Sequence, residues 1–286
     1  MHSYSNLINC RDIMVTLSGL RRTIAVTKNP ASAIISKMTK KKAEITFKNG
    51  AKLHLTWRQF TFFRDHYEVM RQYQVENVDE TSFRFKTTRF EFVGTPIIMC
   101  LIHELESGIY GCDCKGKVVL DVGGYLGESA VFFSGMGASR VIIYEPVAEH
   151  LQFIKENVRL NHVNAEIHVE GVGDKDGTIA VPYDVADNCF GLSQKGFNEM
   201  KIKVRNAADI IAESNADLAK FDCEGAEKYL LNVPAEILRK IEFYIIEVHS
   251  AETKKQLIKK FQESGFNTVN EKENTKEISI IRFKRI

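Results

Sequence analysis

Acidic residues at the ends of apolar runs are the groups in this sequence best placed to do chemistry. The stretch Lys117 to Gly127 reads KVVLDVGGYLG, in which aliphatic residues run into Asp121 and are followed closely by Gly123, Gly124 and Gly127. That order predicts a buried parallel strand, a tight turn and a helix beginning near Glu128. Glycines carry no Cβ, so a ligand can approach the backbone there, and the helix N-terminus is expected to offer it free N–H groups. A nucleotide-like cofactor suits such a turn. Further along, RVIIY ends in Glu145 followed by Pro146, KFDCEGAE groups Asp222, Glu224 and Glu227, and IIEVH closes on Glu247 and His249.

Spacing decides which nucleotide to expect. The dinucleotide fingerprint is G-x-G-x-x-G, with an acid about 20 positions further on. Here the glycines read G-G-x-x-G, and Asp121 stands directly before them. A pyrophosphate is repelled by that carboxylate, whereas the ammonium of a methionyl group is attracted. S-adenosylmethionine, a cation without phosphate, is therefore expected over NAD or ATP. The competing readings are a dinucleotide and an ordinary glycine turn with no ligand.

DVGGYLG, YEP, the helix EHLQFIKENVRLN, KFDCEGAE and IIEVH, in this order, resemble the FkbM-type family of S-adenosylmethionine-dependent methyltransferases. The resemblance covers roughly Lys117 to His249. It implies a class I methyltransferase fold and transfer of a methyl group to a hydroxyl of a sugar or sugar-containing small molecule. One departure is visible: the family pattern D-x-G-A-N-x-G has Gly124 and Tyr125 here in place of Ala and Asn. Tyr125 is expected either to stack on the cofactor or to lean over the substrate mouth.

Ligands of open parallel sheets sit beyond the carboxyl ends of the strands, which assigns roles by position. The cofactor-binding set is Asp121, Gly123, Gly124, Tyr125, Gly127, Glu145, Pro146, Val172, Asp174 and Asp222. Glu145 is expected to accept from both ribose hydroxyls, Val172 to lie against the adenine, and Asp174 to accept from its amine. The catalytic set is Asp222, Glu224 and His249. Asp222 faces the transfer centre, and His249, with an ordinary pKa of about 6.5 and Glu247 to orient it, is the candidate general base. The plainer reading is that these acids cap a helix and His249 caps a strand end. No metal is expected, since Cys112-x-Cys114 lacks a second pair. A divalent ion on Asp222, Glu224 and His249 is the alternative.

These residues need a framework to hold them. From Lys117 the pattern alternates strands at 117–121, 140–145, 165–170, 217–222 and 241–247 with helices at 128–135, 147–161, 206–214, 226–231 and 251–264. This predicts an α/β, doubly wound, mainly parallel seven-stranded Rossmann-like sheet. Two strands within 266–285, joined by a charged turn at 271–276, form the C-terminal antiparallel hairpin that the resemblance implies. Two short strands at 178–183 and 201–204 flank a loop with Asp187, Asn188, Gly191, Ser193 and Gly196, expected to wall the acceptor pocket. Residues 96–286 are the predicted methyltransferase domain, with a helix at 95–105 leading into it. Residues 1–95 are a small α+β cap, with a hairpin around Asn49-Gly50, helix at 59–74 and a strand pair in 81–93.

Composition restricts the partners. The 286 residues carry 39 basic and 37 acidic side chains, a formal charge of +2, so no overall field draws in nucleic acid or membrane. RNA (tRNA) is nevertheless the competing acceptor, because ENVRLNHV resembles a helix of tRNA-modifying methyltransferases and Lys37 to Lys42 offers a phosphate contact. An Asn-Pro-Pro-aromatic motif, usual in base N-methylation, is missing. A non-catalytic cofactor-binding module is the third reading. Six scattered cysteines and no apolar run of membrane length predict a reduced, cytoplasmic protein.

Overall fold

The computed structural model describes residues 17–184, 189–190, 198–273 and 278–286. The chain divides into two compact units after Glu104. In the first, helices Leu17–Val26 and Pro30–Thr39 precede a hairpin of Ala43–Thr46 and Lys52–Leu55. Gly50, at φ 98°, turns that hairpin as Asn49-Gly50 predicts. Helix Trp57–Asp65 starts at a reciprocal cap between Thr56 and Gln59. It does not continue to Gln74 as expected. A short helix, Tyr67–Met70, follows, and Gln74–Asn77 is a strand paired with Phe83–Lys86, which also pairs with Glu91–Gly94. Val75 points inward between exposed Gln74 and Glu76, so strand alternation wins there over helical periodicity. Fully buried Phe47, Phe60, Phe63, Phe83 and Phe85 fill this unit's core.

The second unit is built on seven strands: β1 Val118–Val122, β2 Arg140–Tyr144, β3 Ala165–His168, β4 Leu218–Phe221, β5 Phe243–Val248, β6 Phe266–Glu273 and β7 Ser279–Arg285. They lie in the order β6-β7-β5-β4-β1-β2-β3. Strands β1 to β5 are parallel, and β7 runs antiparallel between β5 and β6, which bears out the doubly wound sheet and its terminal hairpin. Helices α1 Glu128–Gly135, α2 Leu151–Leu160, α3 Ala207–Ser214 and α4 Ala251–Glu263 connect them. Buried on both faces, β1 and β4 are apolar except for Asp121 and Lys220. Strand order reverses between them, which opens a ligand crevice at their carboxyl ends.

Four details of this unit differ from expectation. The third strand ends at His168, two residues early. Gly171–Gly173 leaves the main sheet to pair with Asn198–Asn206 in a second sheet. The two short strands predicted beside the loop are longer, Gly177–Asp184 and Asn198–Asn206, and pair antiparallel. Ala226–Asn232 is a 3-10 helix rather than an α-helix. Loop positions Asp187, Asn188, Gly191, Ser193 and Gly196 lie outside the described residues.

Candidate active site

The glycine turn after β1 is fixed by close packing. At φ 81°, Gly123 lies where an added Cβ would fall 1.7 Å from the Asp222 carbonyl oxygen, and one on Gly124 would fall 2.3 Å from Ile143 Cγ2. Only glycine fits either place. The turn's N–H groups, expected to be free for a ligand, are instead used internally. Those of Gly123 and Gly124 donate to the Tyr144 carbonyl, Tyr125 to Glu145, Leu126 to Glu128 and Gly127 to the Gly124 carbonyl. A turn with its donors spent in this way suits a cofactor without phosphates. Asp121 is also more enclosed than its position suggests. It has no exposed surface, and it accepts from Ser129 Oγ at 2.6 Å and faces Lys220 Nζ at 3.2 Å. Its countercharge is therefore internal, not an ammonium met at an open mouth.

At the end of β2, Glu145 is buried and accepts from Val147 N, from Tyr125 N and at 3.1 Å from the His150 ring. Both its oxygens thus brace the glycine turn and the start of the next segment. Tyr125 adopts φ 44°, unusual for a residue with a side chain, and its ring meets His150 edge-on at 4.7 Å. Gly127, at φ 85°, starts α1, and Asn157 of α2 donates to the Leu126 carbonyl. Val172 is buried and Pro146 packs beside Gly171. Asp174 follows Gly171–Gly173. It is exposed and accepts from Asn232 at 2.7 Å.

The acids predicted as catalytic do gather. Asp222 follows β4, and Glu224 sits in the left-handed turn behind it at φ 53°. His249 extends β5. Its backbone N–H donates to Glu227 Oε1 at 2.9 Å, and its Nδ1 lies 3.3 Å from the same oxygen. Its Nε2 faces Asp222, Glu224 and Glu247, each at 3.8–3.9 Å. Glu227, not Glu247, therefore orients the ring. Burial alone would push the imidazole down, but Glu227, Asp222 and Glu224 outweigh it and hold His249 up to about 9. A pKa raised in this way works against the role of general base expected for His249. Burial and the nearby Asp222 push Glu247 up to about 7. Among the described residues, Asp222, Glu247 and His249 bring one donor atom each within 4.8 Å of one another. Of the trio expected for a divalent ion, Asp222 and His249 belong to this group, whereas Glu224, half exposed, is not a member.

A family model described as the methyltransferase FkbM domain matches residues 121–273, more than half of the chain, from Asp121 through the acid cluster to β6. The chain belongs to the FkbM methyltransferase family. This FkbM protein is accordingly an S-adenosylmethionine-dependent methyltransferase. No curated protein sequence matches it. Among solved structures, M. jannaschii TYW2 in complex with AdoMet aligns at 12% identity and TM-score 0.44, covering 73% of this chain and 89% of that one. An S-adenosylmethionine-dependent methyltransferase from Streptococcus mutans, so described provisionally, aligns at 12% identity and TM-score 0.47, covering 82% and 68%. A ribosomal protein methylase from Lactobacillus delbrueckii subsp. bulgaricus aligns at 16% identity and TM-score 0.39, covering 63% and 77%.

Two residues of the FkbM methyltransferase site escaped the sequence reading. Lys220, inside β4, donates to the Gly123 carbonyl at 2.6 Å and lies 3.7 Å from Asp222. Burial disfavours its charge, but Asp121, Asp222 and Glu128 outweigh that and raise its pKa, so it stays cationic. A lone lysine in the apolar run LAKF was a readable signal. Tyr110 precedes β1, and its hydroxyl bridges Asp222 and Glu247 at 2.9 and 3.0 Å. Its surroundings, GIYGCDC, hold no periodicity that would have marked it.

Proposed function

We propose that this FkbM methyltransferase methylates a hydroxyl of a sugar or sugar-containing small molecule. The observation that carries this reading is the charge at the crevice. Asp222, Glu224, Glu227 and Glu247 converge around one imidazole at the carboxyl ends of β4 and β5. Carboxylates accept hydrogen bonds from vicinal hydroxyls and can take the proton that a neutral hydroxyl loses on methylation. The same acids repel a phosphodiester backbone. Of the basic run proposed for RNA, Lys37 lies over the Trp57 ring and Lys42 bonds the Glu80 carbonyl, so both already have partners.

S-adenosylmethionine supplies an electrophilic methyl on a positively charged sulfur. Gly123, Gly124 and Tyr125 line its expected place, Glu145 stands opposite at the end of β2, and Val172 supplies an apolar wall. Lys220 and Ser129 keep Asp121 compensated whether or not a ligand is present, so the turn is shaped in advance. The Asp222 backbone packs against Gly123 of that turn, and its carboxylate lies 3.7 Å from Lys220, which bonds the Gly123 carbonyl.

The test is transfer of labelled methyl from S-adenosylmethionine into an extract of the source cells, followed by fractionation. Label in a glycan or small-molecule fraction, resistant to ribonuclease, is the expected result. Label in RNA, with transfer falling steeply as salt rises, would replace this reading with the nucleic-acid one.

A further inference from the structure

A phenol carries one proton, yet the Tyr110 oxygen lies within hydrogen-bond distance of two carboxylates, Asp222 Oδ2 at 2.9 Å and Glu247 Oε2 at 3.0 Å. One O–H cannot serve both fully. The second contact is favourable only when a carboxyl donates back to the phenol oxygen. A proton that arrives on Asp222 supplies that second donor, and it can reach Glu247 by two short transfers. Tyr110 is only 9% exposed, and burial and the two acids keep it a neutral hydroxyl. Glu247 is faced by Tyr110 from the segment before β1, by Lys220 of β4, by Asp222 just after it, and by His249 next to it on β5. Lys220 and His249 are held cationic, and Glu247, pushed up to about 7, is the member of this group that exchanges a proton near neutrality.

We propose that Asp222, Tyr110 and Glu247 form a proton relay in which Asp222 takes the acceptor's proton, Tyr110 passes one on and Glu247 stores it. The relay rests on the hydroxyl-acceptor reading above. The acceptor oxygen forms a C–O bond to the methyl carbon, the C–S bond breaks with its electron pair left on sulfur, and the hydroxyl proton goes to Asp222. Tyr110 takes that proton as it gives its own to Glu247, and ends unchanged. Glu247, 13% exposed, returns the proton to water. Asp222 is the catalytic residue, whereas Tyr110 and Glu247 are positioning residues that act through it.

The relay can be tested without an acceptor, by calorimetric titration of the full chain with S-adenosylmethionine and with S-adenosylhomocysteine in buffers of different ionisation enthalpy. A positive charge entering the crevice lowers the proton affinity of its carboxylates; both ligands carry the same ammonium and carboxylate, and only S-adenosylmethionine adds a sulfonium charge. Because Glu247 titrates at about 7, S-adenosylmethionine at neutral pH should release up to about half a proton and S-adenosylhomocysteine much less. Glu247→Gln should abolish the release and Tyr110→Phe should cut it, with cofactor affinity held within about threefold. Release that survives Glu247→Gln belongs to another group and overturns the relay, as does equal release with both ligands. Failure of both ligands to bind would count against the cofactor itself, a different result. In the labelled-extract assay at saturating cofactor, Tyr110→Phe should slow transfer about 10- to 100-fold and remove the fall in rate below neutral pH. A wild-type rate and pH profile in Tyr110→Phe overturns the relay. So does a requirement for added Mg2+ or Mn2+ that Glu247→Gln removes, since the acids would then hold a cation.

Discussion

Gly123 and His249 mark the two kinds of constraint on single residues here. With a Cβ only 1.7 Å from the Asp222 carbonyl and φ at 81°, Gly123→Ala forces one backbone segment off another. We expect a loss of about 3 kcal/mol or more, read as a lower denaturation midpoint, together with loss of cofactor binding. His249 acts through charge. Its folded pKa of about 9 lies above the ordinary 6.5, so its stabilising effect is complete below about pH 6.5 and is lost as pH rises through 9. Comparing wild type with His249→Gln by denaturant unfolding at pH 6 and pH 10 should show a difference, on the order of 3 kcal/mol, that closes at the higher pH. The residue types at both positions were legible in the sequence, because strand ends and glycine spacing follow chain order. The protonation state of His249 was not. It depends on Asp222 and Glu227, which reach the ring from the turn after β4 and from the 3-10 helix that follows it.

At the scale of elements, β1 and β4 are held together by more than their ladder. Lys220 crosses from β4 to the Gly123 carbonyl and to Asp121 of β1, joining the cofactor turn to the acidic turn. Replacing it with methionine leaves Asp121 buried without its cation, which should cost about 3–5 kcal/mol. Adding Asp121→Asn to Lys220→Met should recover part of that loss, measured as a coupling energy in a double-mutant cycle. Alternation of strands and helices from Lys117 onward was readable because each buried parallel strand is a compact apolar run. The boundaries that failed are places where partners far along the chain decide the structure. Gly171–Gly173 joins the second sheet because Asn198–Asn206 lies ready to pair with it. Gln74–Asn77 is a strand because Phe83–Lys86 pairs with it. Tyr110 lies on a segment tied down from a distance, as Arg282 of β7 donates to the Ile109 carbonyl at 2.6 Å.

For the whole molecule, near-neutral charge and local acidity together predict how it responds to solution conditions. Sequence composition already gave the formal charge of +2, but only the folded chain shows that acids converge where β4 and β5 end. Cofactor binding should change little between low and moderate salt, because the groups around the glycine turn are buried and internally paired. S-adenosylhomocysteine at about 100 times its dissociation constant should stabilise the chain by roughly 2.7 kcal/mol, a rise of a few degrees in Tm, while NAD gives none. Among the described residues no helix is long and apolar enough to cross a membrane.

The contact between Gly123 and the Asp222 carbonyl also has a consequence for how relatives of this chain can diverge. Two turns that touch backbone to backbone cannot drift separately. In a library that randomises both, surviving clones should keep glycine at 123 whatever stands at 222–223, and grafting only one turn from a distant relative should yield little folded protein. A recombinant that exchanges acceptor preference would have to inherit both turns as a single cassette.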